Sequence, residues 1–161
     1  MVIVIMGVAG SGKTTVGERL AARLGWSFLD ADDVHPAANI AKMAAGHPLT
    51  DEDRAPWLAA LRARIDDFLA RDAGAVVTCS ALKESYRVVL LSGTDQVKLV
   101  HLQGSPELLR SRLRGRTGHF MAPTMLDSQL AALETPQNAL VLDIARSPDE
   151  LVREIRDAFH I

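Results

Sequence analysis

The chain has 161 residues, of which 48% are hydrophobic and 24% charged, and its formal net charge is −2. This composition excludes a disordered or collagen-like chain, and the length suits one domain spanning residues 1–161. The small net charge gives no general attraction to nucleic acids or anionic membranes. Because the one cysteine, Cys79, has no internal disulfide partner, a reducing, cytoplasmic location is expected.

The N-terminal half of the chain is predicted to alternate strands with helices. The elements are, in order, a strand at residues 2–6, a helix at 13–24, a strand at 27–30, a short helix near 40–45 and a long helix at about 54–71. The first strand is a continuous, mainly β-branched run, which is typical of burial on both faces. Asp53 is the expected N-cap of the long helix, and this places Pro56 in its first turn, where a missing N–H is tolerated.

The C-terminal half continues the alternation, with strands at residues 75–79, 97–102 and 140–143. Ser105-Pro106 and Ser147-Pro148 each place a capping residue before a proline, which predicts a helix start at both positions. Strands that alternate with helices form crossover units. The chain is therefore predicted to be an α/β protein with a parallel sheet and helices on both faces.

The strongest functional signal is the sequence GVAGSGKT at residues 7–14. It matches G-x-x-x-x-G-K-[ST] directly between a strand and a helix, which is the context of a nucleotide phosphate-binding loop. In such a loop Lys13 reaches the β- and γ-phosphates and the Thr14 hydroxyl binds Mg²⁺, so ATP and Mg²⁺ are the expected cofactors. The predicted nucleotide contacts within the loop and the following turn are Gly7, Ala9, Gly10, Ser11, Gly12, Lys13, Thr14 and Thr15.

A phosphate loop alone does not define the reaction. GTPase switches carry a guanine-reading N/T-K-x-D segment, which this sequence lacks. AAA-type and helicase ATPases usually need a longer chain. A compact kinase, in which the remaining residues bind the phosphoryl acceptor, fits best.

Three aspartates, Asp30, Asp32 and Asp33, follow the second strand. Ligands of a doubly wound sheet bind beyond the carboxyl ends of the strands, so these carboxylates are expected on the acceptor side of the phosphate loop. Alternation along an extended chain places Asp32 on the same face as Asp30, which favours Asp32 as the catalytic base and leaves Asp33 as the alternative. His35 is either a helix-start residue or a hydrogen-bond donor to the substrate.

Several cations are further candidates for binding anions. Lys83 and Arg87 are four residues apart on a helix that opens after the third strand, so both can face one anionic group. Arg54 lies in the first turn of its predicted helix, where a cation is unfavourable and so hints at a function. Arg112 and Arg116 precede a glycine-containing stretch, as expected for a lid that closes over the nucleotide at about residues 114–124.

Together these segments resemble the small phosphate-loop gluconate kinases (gluconokinases), relatives of shikimate and nucleoside monophosphate kinases. The resemblance covers nearly the whole chain. Besides the phosphate loop it rests on DADDVHP at residues 30–36, NIAKM at 39–43, GHPLTDEDR at 46–54, PW at 56–57, CSALK at 79–83, YR at 86–87 and GHFM at 118–121.

The resemblance implies a three-layer phosphate-loop kinase fold with a five-stranded parallel sheet and a small lid, and a homodimer. It also implies ATP-dependent phosphorylation of D-gluconate at the 6-hydroxyl, giving 6-phosphogluconate and ADP. The acceptor-binding region falls at about residues 31–60. Lys13 and Asp32 are the implied catalytic residues, and substrate contacts are implied for Asp32, His35, Arg54, Lys83 and Arg87.

Two alternatives stay open. A shikimate kinase has the same fold but carries a Gly-Gly-Gly run that this sequence lacks. A non-catalytic nucleotide-binding module would bind ATP without turnover. No apolar run approaches the ~20 residues that span a bilayer, and no wider basic face accompanies the arginines, so neither a membrane nor a nucleic acid is an expected partner.

Overall fold

In the computed structural model of the protein, which describes residues 1–115 and 123–161, five parallel strands form one sheet. The strands are β1 (Val2–Met6), β2 (Ser27–Asp30), β3 (Ala75–Thr78), β4 (Val97–Gln103) and β5 (Leu140–Asp143). Their spatial order is β2-β3-β1-β4-β5. The predicted five-stranded parallel sheet is confirmed, and each strand lies within a residue of its expected bounds.

Helices cover both faces of the sheet. In the described part of the chain they are α1 (Lys13–Leu24), α2 (Ala37–Ala44), α3 (Asp51–Ala70), α4 (Glu84–Leu91), α5 (Pro106–Arg114), α6 (Pro123–Ala132) and α7 (Pro148–Phe159), with a 3-10 turn at Ala31–Val34. Within those same ranges no helix combines the length and apolar character needed to cross a membrane.

The central strand β1 shows how the layers are held together. Its five residues are all fully buried, and their side chains alternate between two cores. Val2, Val4 and Met6 pack with side chains of α3 and α4, whereas Ile3 and Ile5 pack with side chains of α1, α5 and α7. The predicted three layers are therefore present.

The start of α3 differs from the prediction. Thr50, not Asp53, is the N-cap: its hydroxyl accepts from the Asp53 amide at 3.2 Å, and the Asp53 carboxylate accepts from the Thr50 amide at 2.8 Å. This reciprocal pair is a capping box. Pro56 consequently lies inside the helix rather than in its first turn, and the unfavourable position of Arg54 is offset by three acidic residues ahead of it.

Two other helices were less well predicted. Helix α2 begins at Ala37, three residues before the expected start, and α6 was not predicted. The capping signals at Ser105 and Ser147 were correct, since each hydroxyl accepts an amide hydrogen bond at the start of α5 and α7.

Cys79 follows β3 and is 3% exposed. Burial raises the pKa of its thiol to about 12. This agrees with a core position rather than with a nucleophile.

Candidate active site

The phosphate loop joins β1 to α1 and has the backbone that its glycines permit. Gly10 and Gly12 have φ angles of 80° and 89°, in the left-handed region that side chains disfavour. Gly12 is the N-cap of α1 and brings no side chain to the first-turn amides, which leaves them for a ligand. The loop therefore presents the positive end of a helix to an anion.

The two reactive side chains of the loop point to different neighbours. The Lys13 ammonium donates to the Val8 carbonyl at 3.1 Å, so it is folded back over the loop. The Thr14 hydroxyl donates to the Asp30 carboxylate at 3.4 Å, which connects the loop to the end of β2. The Ala9 amide donates to Gln129 of α6 at 2.7 Å, a contact that the sequence did not suggest.

A groove of about 300 Å³ opens beside the phosphate loop. It is lined by Gly10, Ser11, Gly12, Thr15 and Val16 of the loop and α1, by Arg112 and Gly115, and by Arg146, Pro148 and Leu151 near the start of α7. Arginine planes and apolar side chains such as Val16, Pro148 and Leu151 can pack against a base, so this groove beside the phosphate loop suits the nucleoside part of a nucleotide.

Two arginines belong to the lining of this groove. Arg112 donates to the Ile144 carbonyl, and one of its guanidinium nitrogens lies 3.6 Å from the position that a Cβ would take at Gly12. Arg146 was missed from the sequence, although it follows β5 at the carboxyl edge where ligands bind. It pairs with Glu154. Arg116 and most of the predicted lid lie outside the residues that the structure describes.

On the acceptor side, the chain after β2 turns at once. The Asp30 carboxylate accepts from the Asp32 amide at 3.1 Å and caps the 3-10 turn. The argument that Asp32 alternates with Asp33 along an extended chain was therefore wrong, because this capped turn replaces the extended chain. The preference for Asp32 now rests on its surroundings.

Asp32 has an environment suited to a proton acceptor. Partial desolvation and then the neighbouring Asp30 raise the pKa of Asp32, while His35 and Lys13 lower it. Because its side chain is 89% exposed, water limits the size of these effects. The influence of Lys13 places Asp32 within electrostatic reach of the phosphate loop.

His35 lies close to Asp32 and is held in place by a neighbouring aromatic ring. Its ring stacks on Trp57 with a centroid distance of 4.4 Å and an interplanar angle of 11°, and the Trp57 indole N–H donates to the Ala31 carbonyl at 2.7 Å. The His35 Nε2 lies 4.0 Å from Asp32 Oδ1. Burial lowers the pKa of His35; Asp32 raises it and Arg54 lowers it.

Lys83 and Arg54 meet around a carboxylate that the sequence did not single out. Asp51 accepts from Lys83 with both oxygens, at 2.9 and 2.8 Å, and also from the Tyr86 hydroxyl. Arg54 lies 3.9 Å from Asp51 and donates to the Leu49 carbonyl at 2.7 Å. The hydrogen bond from Lys83 lowers the pKa of Asp51, and the same bond raises the pKa of Lys83.

Arg87 is separate from this cluster. Lys83 is the N-cap of α4 and has an extended backbone, so the helical spacing that was expected to place Lys83 beside Arg87 does not apply. Arg87 is 2% exposed and donates to the carbonyls of Ala81 and Leu82 and to the Glu84 carboxylate, at 2.5–3.0 Å. The expectation that both cations face one anion was wrong, and a substrate contact by Arg87 stays a prediction.

A five-stranded parallel sheet, a phosphate loop at its central strand and a carboxylate beside it define a phosphate-loop kinase. A family model described as an AAA domain matches residues 2–136. The term AAA domain covers a broader class of proteins than kinases. Relatives that match nearly the whole chain identify its family more closely.

The gluconokinase of Gluconobacter oxydans (strain 621H) is 46% identical over 156 residues, which cover 95% of this chain and 88% of the relative. The crystal structure of a gluconokinase from Sinorhizobium meliloti 1021 has a TM-score of 0.83 at 46% identity, covering 94% of this chain and 87% of that one. An unliganded sugar kinase from Janibacter sp. HTCC2649 has a TM-score of 0.90 at 42% identity, covering 99% and 94%. The chain belongs to the gluconokinase family, a group of kinases that use ATP with a divalent metal ion.

Proposed function

We propose that the protein transfers the γ-phosphoryl group of ATP to the 6-hydroxyl of D-gluconate, giving 6-phosphogluconate and ADP. The match to a gluconokinase over 95% of the chain carries this proposal. The geometry supports it, because the phosphate loop contacts Asp30 through Thr14, and the two cations Arg54 and Lys83 meet at one carboxylate, Asp51.

On the donor side, the nucleoside would lie in the groove beside Arg112 and Arg146 and the phosphates at the N-terminus of α1. Thr14, at the start of α1, suits a metal ion. Its hydroxyl hydrogen is directed to Asp30, so the lone pairs of the hydroxyl oxygen remain for Mg²⁺. When bound, Mg²⁺ neutralises charge on the β- and γ-phosphates. Lys13 adds a positive charge at the same phosphates.

On the acceptor side, the new bond joins the 6-hydroxyl oxygen to the γ-phosphorus, and the bond from that phosphorus to the β–γ bridging oxygen breaks. The hydroxyl proton passes to Asp32. Gluconate is a carboxylate on a polyol chain, so its other end needs cations, and Lys83 and Arg54 supply them. Asp51 now holds Lys83, so the substrate carboxylate would share or replace this contact.

The test is ADP release by the purified protein with ATP, Mg²⁺ and a panel of acceptors: D-gluconate, other sugar acids, shikimate and a nucleoside monophosphate. We expect turnover with gluconate, and a product whose ³¹P spectrum shows a primary phosphate ester. Turnover of shikimate or a nucleotide instead would assign another kinase. ATP binding with no turnover of any acceptor would assign a binding module.

We also propose a cytoplasmic homodimer that binds neither nucleic acid nor membranes. The small net charge, the unpaired Cys79 and the family resemblance support this proposal. Light scattering of the purified protein tests the dimer, and a salt-dependent shift of random DNA by the protein would contradict the expected lack of nucleic-acid binding.

A further inference from the structure

Asn39 is a polar residue with a buried position that the proposed reaction does not yet explain. It lies in the first turns of α2 and is 4% exposed. A polar side chain this deeply buried needs hydrogen-bond partners. Its Nδ2 lies 2.9 Å from the Asp53 carbonyl oxygen and 3.3 Å from the Nδ1 of His35.

These two contacts together fix where the proton of His35 resides. A carbonyl oxygen only accepts hydrogen bonds, so the atom of Asn39 that faces Asp53 is the amide nitrogen, not the amide oxygen. That nitrogen carries a second hydrogen, which faces His35 Nδ1. Nδ1 must therefore accept, and the single proton of the neutral ring lies on Nε2.

The Nε2–H then faces the acceptor side of the site. Nε2 is 4.0 Å from Asp32 Oδ1, which is too long for a direct hydrogen bond. A hydroxyl oxygen placed at hydrogen-bonding distance from both atoms can accept from Nε2–H and donate to the carboxylate. This is the arrangement that a substrate hydroxyl needs before its proton leaves for Asp32.

We propose that Asn39 is a positioning residue that holds His35 as the neutral Nε2–H tautomer, so that His35 donates to the acceptor hydroxyl beside Asp32. The identity of that hydroxyl rests on the proposed function, whereas the tautomer does not.

The proposal also separates the roles of His35 and Asp32. With a proton on Nε2 and a donor against Nδ1, His35 has no free lone pair and is a donor rather than a base. Its neutrality also matters, because an imidazolium at this distance would stabilise the Asp32 carboxylate and reduce its basicity. The charged groups that face His35 are Asp32 and, from α3, Arg54, and the stacked Trp57 covers one face of the ring.

The tautomer is measured first, in the full-length wild-type protein without substrate, from the ¹⁵N chemical shifts and long-range couplings of the histidine rings at pH 7.5. We expect His35 to show the pattern of the neutral Nε2–H form. An Nδ1–H tautomer or an imidazolium would overturn the proposal, whatever the protein phosphorylates.

Asn39→Asp is the informative variant, because it keeps the shape of the side chain but replaces the donor with an acceptor. It should move the His35 proton to Nδ1 or produce the imidazolium. It should also lower kcat roughly tenfold or more, a smaller loss than the ~10²–10⁴-fold expected for removal of the base itself, with the KM for ATP unchanged.

Asn138→Asp is the matched control, since it makes the same chemical change at an exposed position away from the site. It should leave the His35 spectrum and kcat as in the wild type. Asn39→Asp with an unchanged spectrum and unchanged kcat would overturn the proposal. If Asn39→Asp fails to fold, the ¹⁵N spectrum of the wild-type protein still decides whether His35 is the Nε2–H tautomer. A wild type that shows the expected tautomer but does not phosphorylate gluconate would reject the proposed function alone.

Discussion

Lys13 combines a structural contact with the charge that the reaction needs. Its ammonium reaches the Val8 carbonyl within the loop, and no other lysine or arginine belongs to the loop sequence. Lys13→Ala should therefore lower gluconate-dependent turnover by orders of magnitude, because the developing charge on the transferred phosphoryl group loses its partner.

Steady-state ADP release measures the effect of Lys13→Ala, with circular dichroism to show that the fold survives. The matched control is Arg153→Ala, which removes an exposed cation from α7 and should leave turnover unchanged. Near-normal turnover in Lys13→Ala would show that the loop does not take part in the reaction.

Asp32 and Asp33 differ by one position and provide a matched pair. Asp32→Asn keeps the shape of the side chain and removes its basicity, so kcat should fall by roughly 10²–10⁴ with little change in the KM for gluconate. A base must be ionised to act. Since desolvation and Asp30 raise the pKa of Asp32, the acid limb of kcat/KM should lie above the ordinary aspartate value of 3.8 and should disappear in the variant.

Asp33 is exposed, and Asp33→Asn should keep both the rate and the acid limb. The reverse result, a loss of rate in Asp33→Asn with Asp32→Asn near normal, would exchange the roles of the two carboxylates.

At the scale of an element, the start of α3 depends on Asp53, whose carboxylate completes the capping box with the N-cap Thr50 and accepts from Lys42 at 2.5 Å. The hydrogen bond from Lys42, and then that from the Thr50 amide, lower the pKa of Asp53 to about 2. A depressed carboxyl pKa contributes stability that is present above the unfolded value of 3.8 and is lost as the pH falls towards about 2.

Asp53→Asn should therefore lower the Tm at neutral pH, and the difference from the wild type should shrink as the pH falls from about 4 to about 2. Thermal unfolding followed by circular dichroism across this range is the measurement. Asp95→Asn, at an exposed position, is the control and should show no such trend. A Tm difference that stays constant down to pH 2 would contradict a charge-dependent role of Asp53.

Arg87 stabilises the start of α4 through hydrogen bonds to the chain that precedes the helix. Arg87→Ala leaves two carbonyls, those of Ala81 and Leu82, without their donor and opens a space in the core, so it should lower the free energy of unfolding by about 3 kcal/mol. Urea unfolding measures this, and Arg114→Ala, at an exposed position, should change it by less than ~0.5 kcal/mol. Unchanged stability with a raised KM for gluconate would instead make Arg87 a substrate ligand.

The starts of the helices show which local features the sequence could specify and which it could not. The caps at Ser105 and Ser147 were predictable because a capping residue and a proline occur together. At α3, Thr50 and Asp53 are both good caps, and only their reciprocal hydrogen bonds show which one begins the helix. At α4, residue spacing carries no information about side-chain direction, because Lys83 precedes the first helical residue.

At the scale of the whole molecule, the sheet was predictable because its central strands β1 and β3 are short, buried, mainly apolar runs, and parallel crossovers leave few arrangements. The phosphate loop was predictable because its function depends on local sequence. The pairing of Asp51 with Lys83 joins residues 32 positions apart in the chain. The Asn39 contacts also depend on how α2 packs against α3, and neither arrangement has a local pattern.

Because the thiol of Cys79 is buried, its chemical modification can measure how often the protein opens. With a pKa of about 12, only about one thiol in 10⁴ is ionised at pH 8, and the side chain is nearly inaccessible. A thiol reagent should therefore modify the protein only when the carboxyl end of β3 separates from β1, to which the Cys79 amide donates at Ile5, and the modification rate measures how often this happens. ATP with Mg²⁺ at 100 times its Kd should slow modification by up to about 100-fold. An unchanged rate would mean that the strand end beside Cys79 separates without release of the nucleotide.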